Sequence, residues 1–332
     1  MSPAASYDID VVVTRGAAAE SIHRVSAAVV VDDRLVAYAR DPEHRAYWRS
    51  CAKPFQLIPF MEAGGADELG WGPDQIALAC ASHGGEPEHD AIAERMLGDL
   101  GLEAGDLACG AAEPLTQRGQ RLLRESGGRP TRLHNNCSGK HAAMLARAQL
   151  ADWPTAGYDH PDHPVQQSIF GVIAEWTDVD IAHITIARDG CGVPVFGLPL
   201  IAMARAFSRF AAAMRAADDV AARIGSAMLA NPFLVGGTDR FDTVLMEEAP
   251  GIVCKIGAEG VHSAAVVSAG IGVALKVEDG GSRAQYPALL ALLQHLGALP
   301  DPLPPRLAEI SRKPVRDTRH EVVGEIVVRA MM

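Results

Sequence analysis

Ser50 and Lys53 stand three residues apart in the string Arg49-Ser50-Cys51-Ala52-Lys53-Pro54. The residues before them read as strand and loop, and those after as helix. The pair therefore falls on a starting helix, one turn apart on the same face. A serine hydroxyl is a poor nucleophile until a base takes its proton, and a lysine in a desolvated pocket can be that base. The positive end of the helix would favour the alkoxide that forms. A capping serine followed by a solvated lysine explains the same four residues, so Ser-x-x-Lys alone decides nothing.

Two later motifs change the weighting. Ala81-Ser82-His83-Gly84-Gly85-Glu86 follows the apolar run Ile76–Ala81, which places Ser82 where an element exits into a tight loop. Cys254-Lys255-Ile256-Gly257 lies on an expected strand. The order Ser-x-x-Lys, Ser-x-Gly, Lys-x-Gly parallels the signature of penicillin-recognising serine hydrolases. There the second serine relays protons and the strand lysine supports the electrostatics. Read singly, Ser82 is a loop cap and Lys255 a surface charge. Lysine usage argues against coincidence: the chain has only five, at 53, 140, 255, 276 and 313, against 25 arginines. Of the two residues only lysine readily gives up its proton.

A second cluster is His134-Asn135-Asn136-Cys137-Ser138-Gly139-Lys140-His141, opening a helix, matched by Arg188-Asp189-Gly190-Cys191-Gly192-Val193-Pro194 after a strand. Cys137 and Cys191 lie in polar, glycine-containing turns, unlike Cys80 and Cys254. Two thiolates with a nitrogen suit Zn²⁺, and Lys140 and His141 both offer that nitrogen. Helix-start amides could instead bind a carboxylate, and two buried small side chains would also account for the cysteines. Gly236-Gly237-Thr238-Asp239-Arg240-Phe241-Asp242 is a third polar loop. Its Arg240 could position substrate, or the loop could merely connect two elements.

The elements that must position these residues follow from periodicity. Strands are expected at Ile9–Val13, Val25–Val31 and Leu35–Ala39, with a hairpin turn at Asp32-Asp33-Arg34, and later at Ile181–Ala187, Ile252–Ile256, Ser263–Val267, Gly272–Val277 and Glu321–Arg329. Helices are expected at 52–63, 87–100, 117–125, 140–150, 164–176, 199–213, 218–230 and 283–297. Strands at both ends with helices between them imply an α/β (α+β) fold: a mostly antiparallel sheet of terminal strands packed with helices, plus a helical lobe. The whole chain then reads as one domain, its sheet lobe roughly 1–50 and 250–332, its helical lobe roughly 51–249.

A net charge of −11 argues against nucleic-acid and anionic-membrane partners, which require a basic face. The segment Met1–Asp10 lacks the basic and apolar regions of a secretory signal, and the uncharged run Gly260–Leu275 is too short to span a bilayer. Six scattered cysteines read as reduced thiols. The expectation is a cytoplasmic protein.

Tyr47-Trp48-Arg49-Ser50-Cys51-Ala52-Lys53-Pro54-Phe55-Gln56, the Asn135-Asn136-Cys137-Ser138-Gly139-Lys140-His141 string and Asp189-Gly190-Cys191-Gly192-Val193-Pro194 resemble the asparaginase II family, the Rhizobium etli-type or class 3 group. Gly237-x-x-Arg240-Phe241 and Lys255-x-Gly257-Ala258-Glu259-Gly260 add to the likeness, which covers most of the chain. The resemblance implies a fold like that of serine β-lactamases and glutaminases, and a homodimer. It implies hydrolysis of the side-chain amide of L-asparagine through a Ser50 acyl-enzyme, with Ser–Lys tandems Ser50/Lys53 and Ser82/Lys255. It also implies a zinc site of Cys137, Lys140 and Cys191 with Asp189 nearby, selecting Lys140 over His141, and no organic cofactor. On this reading Arg49, Asn135, Asp189, His141, Gly237 and Arg240 contact the substrate. Gly84 and Ile256 stand where a β-lactamase carries Asn and a hydroxyl residue, which argues against β-lactam turnover. The rivals are a glutaminase or other small-amide hydrolase on the same fold, and a non-catalytic zinc- or amino-acid-binding protein.

Overall fold

The computed structural model describes residues 4–217 and 220–329. Helices and an antiparallel sheet are mixed along the chain, which is of the α/β class. It divides into two compact units. One comprises Met1–Cys51, Leu198–Ala212 and Glu248–Met332, the other Ala52–Gly197 and Ala213–Glu247. The expected helical lobe ran unbroken from 51 to 249, whereas residues 198–212 belong with the sheet.

In the sheet unit, Lys313–Arg316, Val322–Arg329, Ile9–Arg15, Ala18–Val31, Ile271–Val277, Val261–Val266 and Ile252–Ile256 lie side by side in that order. The 14-residue strand Ala18–Val31 is the spine. Its first half pairs with Ile9–Arg15, and its second half with both Ile271–Val277 and Arg34–Ala39. The turn between Ala18–Val31 and Arg34–Ala39 is made by Asp32 and Asp33, whose φ values of 48° and 60° are the left-handed pair that a two-residue hairpin demands. Both termini thus meet in one sheet, as strand patterning at the two ends requires.

The helix Leu200–Ala216 begins in this unit and lies against the sheet at Gly272. A Cβ on Gly272 would sit 2.0 Å from the Ala204 carbonyl oxygen and 2.2 Å from the Ser208 nitrogen, so only glycine allows the helix backbone to approach this closely. Ser208 Oγ donates to Gly270 O at 2.7 Å and fixes the approach. Helix Ser282–His295 covers the sheet with Ala284, Ala288, Leu289, Leu290, Leu292 and Leu293, all buried.

The helical unit is built around Lys53–Glu62, in which Lys53 through Met61 are all buried. Pro54 in its first turn is preset for a helix start, and Gly64 at φ 74° follows its end. Phe55 packs on Trp176 of helix Pro164–Thr177, ring centroids 5.5 Å apart. Helix Ser138–Leu150 has ten of its 13 residues buried. It lies so close to helix Pro73–Ala79 that a Cβ on Gly139 would fall 2.4 Å from Leu78 O. Strands Thr185–Arg188 and Pro194–Pro199 form a hairpin whose turn carries Asp189 to Val193. Asp218 and Asp219, expected to open a helix, lie outside the described residues, and the helix is seen from Val220 to Ala230.

Candidate active site

In the sheet unit, Ser50 sits in the 3₁₀ turn Arg49–Ala52, half-buried, directly after Arg49, which holds a left-handed φ of 51°. Such a conformation in a non-glycine residue is sparsely populated and must be enforced by its surroundings. The enforcing contacts flank it. Trp48, fully buried, donates its indole N–H to Ser263 Oγ at 3.1 Å. The Cys51 thiol donates to Lys255 O at 2.9 Å. A Cβ on Gly257 would meet both Cys51 Sγ and Trp48 O at 3.1 Å, which explains the glycine after Lys255-Ile256. Lys255 itself is wholly buried on strand Ile252–Ile256, with Nζ donating to Ile256 O at 3.2 Å, and is not the surface charge that a lone strand lysine could have been. The turn that bears Ser50 is thus bolted to the strand that bears Lys255.

In the helical unit, Lys53 is the first residue of its helix and only 1% exposed. Its Nζ donates to Ser82 Oγ at 3.1 Å, to Asn136 O at 3.1 Å and to Ala81 O. The two carbonyls can only accept. Ser82 alone among these three can either accept or donate, so a proton can pass between Nζ and this shell only through the Ser82 hydroxyl. Ser82 is held by its own backbone, N–H to Val235 O at 3.0 Å, where the chain leaves helix Pro73–Ala79.

Cys137, Lys140 and Cys191 come together in the same unit, all buried. Lys140 Nζ donates to Cys191 Sγ at 3.1 Å. A hydrogen bond from the Cys137 thiol, helped by Lys140 against the opposing effect of burial, brings Cys191 down to about 5, while the same bond and burial push Cys137 up to about 12. Burial would depress Lys140, but Cys191 and Cys137 outweigh it and hold it above the usual ammonium range. Asp189 adds to that field, and its carboxylate accepts from Gly190 N at 2.8 Å to shape the Cys191 turn. Two sulfurs and an amine gathered in one buried cluster would fit zinc, thiolates being among its usual ligands. Lys140 serves Cys191 as its donor, while the Cys137 thiol also reaches Asn136 Oδ1 at 3.3 Å. Asn135 organises the other turn: Oδ1 accepts from Cys137 N at 3.0 Å and Nδ2 donates to Gly110 O at 2.9 Å. His141 points elsewhere than Lys140. Its Nδ1 lies 2.7 Å from the Tyr158 hydroxyl, and burial followed by the Lys140 charge lowers it to about 3, so it is neutral.

Gly237 and Arg240 lie on a loop closed by Thr243 Oγ1 donating to Gly237 O at 2.9 Å. Gly237 takes φ 113° and abuts Gly84, whose nitrogen and Cα would each be 3.1 Å from a Cβ at 237. Four residues of this neighbourhood escaped the sequence reading as participants. Cys109 is a third buried thiol in the field of Cys137 and Cys191. Tyr158 anchors His141. His83 accepts from Gly85 N at Nδ1 and so must donate from Nε2 to Ser138 Oγ at 2.9 Å, which makes it a positioner of that hydroxyl and not its base. Glu86, fully buried, takes two bonds from Thr238. His83 and Glu86 lie in the quoted Ser82 string, but nothing in a string of polar loop residues marks which are buried.

The L-asparaginase II family matches residues 11–328, and the chain belongs to that family. That places it in the class of hydrolases acting on amides. No curated protein sequence matches the chain.

Proposed function

We propose that the chain is an L-asparaginase that cleaves the side-chain amide of L-asparagine through an ester on Ser50. The observation that carries the reading is that the turn bearing Ser50 runs straight into the helix whose first residue is the buried Lys53. Lys53 takes the Ser50 proton and Oγ attacks the amide carbon. Backbone N–H groups near the nucleophile hold the oxyanion until the C–N bond breaks. Lys53 returns the proton to the leaving nitrogen, directly or through Ser82, and ammonia departs. Water then adds to the ester, giving its proton back along the same path, and releases aspartate with Ser50 restored. Arg49, Asn135, Asp189, His141, Gly237 and Arg240 would receive the substrate, and Lys255 would support the charge near the serines. Zinc held by Cys137, Lys140 and Cys191 would supply positive charge that orients the substrate, since the nucleophile comes from elsewhere. A cytoplasmic homodimer is part of the same proposal, and light scattering on the purified protein tests the dimer.

The test is ammonia release from asparagine, glutamine and a β-lactam, with and without a chelator. Ser50→Ala should lower release from asparagine by about a thousandfold or more. Activity at the wild-type rate in that variant would remove Ser50 from the mechanism. Release from glutamine exceeding that from asparagine would move the assignment to a glutaminase. One contact favours a second reading, in which Ser82 is the nucleophile, because Lys53 Nζ lies within hydrogen-bond distance of its hydroxyl. Mass spectrometry of the trapped ester separates the two: a label on the peptide that holds Ser50 supports the first, and one on the peptide that holds Ser82 the second.

A further inference from the structure

Glu86 caps helix Pro87–Gly98 from a fully buried position, yet its carboxylate does not serve its own helix. Oε1 accepts from Thr238 N at 2.7 Å, and Oε2 accepts from Thr238 Oγ1 at 2.7 Å and from Arg118 Nη1. With the Thr116 side chain close by, both oxygens of the carboxylate have partners. Arg118 in turn spans outward to Glu88 through two bonds of 2.8 and 2.6 Å, so the buried charge is paired and its partner is tethered. The neighbouring backbones leave no slack. A Cβ on Gly84 would lie 2.8 Å from Glu86 Oε1 and 2.6 Å from Thr116 Cγ2, and one on Gly237 would lie 2.9 Å from the same Oε1. Leu115 N donates to Gly84 O at 2.8 Å and closes the other side.

From this we infer that Glu86 is a positioning residue that clasps the Gly237–Arg240 loop against the Ser82–Gly85 loop and so sets the shape of the substrate site. The inference rests on the asparaginase reading given above. Nothing in the clasp touches a reacting atom. Both loops it joins bear residues assigned to the reaction, Ser82 on one and Gly237 and Arg240 on the other. A buried, charged acceptor with both oxygens partnered is a stiff way to join two loops, because each bond is charge-assisted and none can be exchanged for water.

The substitution Glu86→Gln isolates the clasp. Its amide oxygen is best placed at the Oε2 position, where it keeps both the Thr238 hydroxyl and Arg118. The amide nitrogen then faces the Thr238 N–H, donor against donor. The turn loses its backbone anchor while volume and neighbours are kept. A looser binding loop weakens substrate and transition state alike, so KM for asparagine should rise about tenfold with kcat within about threefold. Thr238→Ser keeps both donors and should match the wild type. Thr238→Val removes only the hydroxyl and should raise KM by about threefold. Glu88→Gln, at the exposed end of Arg118, should leave both constants unchanged. Should Glu86→Gln fail to fold, the Thr238 pair carries the test. An unchanged KM in Glu86→Gln, or in Thr238→Val, or a fall in kcat alone as from a smaller folded fraction, overturns the inference. A wild-type protein that releases no ammonia overturns the asparaginase reading instead, and this inference with it.

Discussion

His134 opens the Asn-Asn-Cys-Ser-Gly-Lys-His string, and its hydrogen bonds fix its tautomer. Thr131 N–H donates to Nδ1 at 3.0 Å, so Nε2 carries the proton and faces Asp90 Oδ2 at 3.2 Å. Burial, with Glu94 close by, raises the Asp90 carboxyl from 3.8 to about 7. A carboxyl whose folded pKa is raised favours the folded state fully below its unfolded value, and that contribution is lost as pH rises through the folded value. For Asp90 the window runs from pH 3.8 to about 7. The loss across it is at most roughly 4 kcal/mol. Asp90→Asn removes the titration, so urea denaturation should find the variant more stable than the wild type at pH 8 and nearly equal to it at pH 4. Equal stability at both values would mean that Asp90 is ionised in the folded chain.

Elements divide by whether their cause is local. Helix Gln117–Glu125 was legible to the residue because Thr116 caps it, accepting from Gly119 N, and strand Ile252–Ile256 because an apolar run broken only by Lys255 is bounded by glycines. The stretch Ile181–Ala187 reads as one strand. The structure instead makes a 3₁₀ turn at Ile181–His183, because the Asp180 side chain accepts from Ala182 N, and the strand starts only at Thr185. Pro194–Pro199 was not legible as a strand, since proline stands at both of its ends. The site divides the same way. The Ser-x-x-Lys spacing and the Cys137–Lys140 turn are local patterns, whereas the Lys53–Ser82 contact joins residues 29 positions apart and the Glu86–Thr238 bonds residues 152 apart. Only packing places such partners. The helix Leu200–Ala216 was foreseen, but its attachment to the sheet depends on a glycine that looked like an ordinary strand residue. Gly272→Ala should therefore cost about 3 kcal/mol or more in urea denaturation, since the clash is with backbone that cannot rotate away. A cost below about 1 kcal/mol would mean that the helix can retreat from the strand.

At the scale of the whole molecule, the candidate residues are divided between the two units. The sheet unit bears Ser50 and Lys255, and the helical unit bears Lys53, Ser82 and the sulfur cluster. No helix among the described residues is long and apolar enough to cross a membrane. The proposed zinc belongs to this scale because it can be counted. Elemental analysis of the purified protein should find about one zinc per chain, and Cys191→Ser should reduce that to background. Undiminished zinc in the variant would place the metal elsewhere.

All six cysteines, at positions 51, 80, 109, 137, 191 and 254, are buried and outside any disulfide. A water-borne alkylating reagent can therefore label the chain only during moments when it opens. The labelling time of each position outside the proposed zinc set becomes a clock for the opening of its own neighbourhood, with Cys51 and Cys254 timing the sheet unit and Cys80 and Cys109 the helical one.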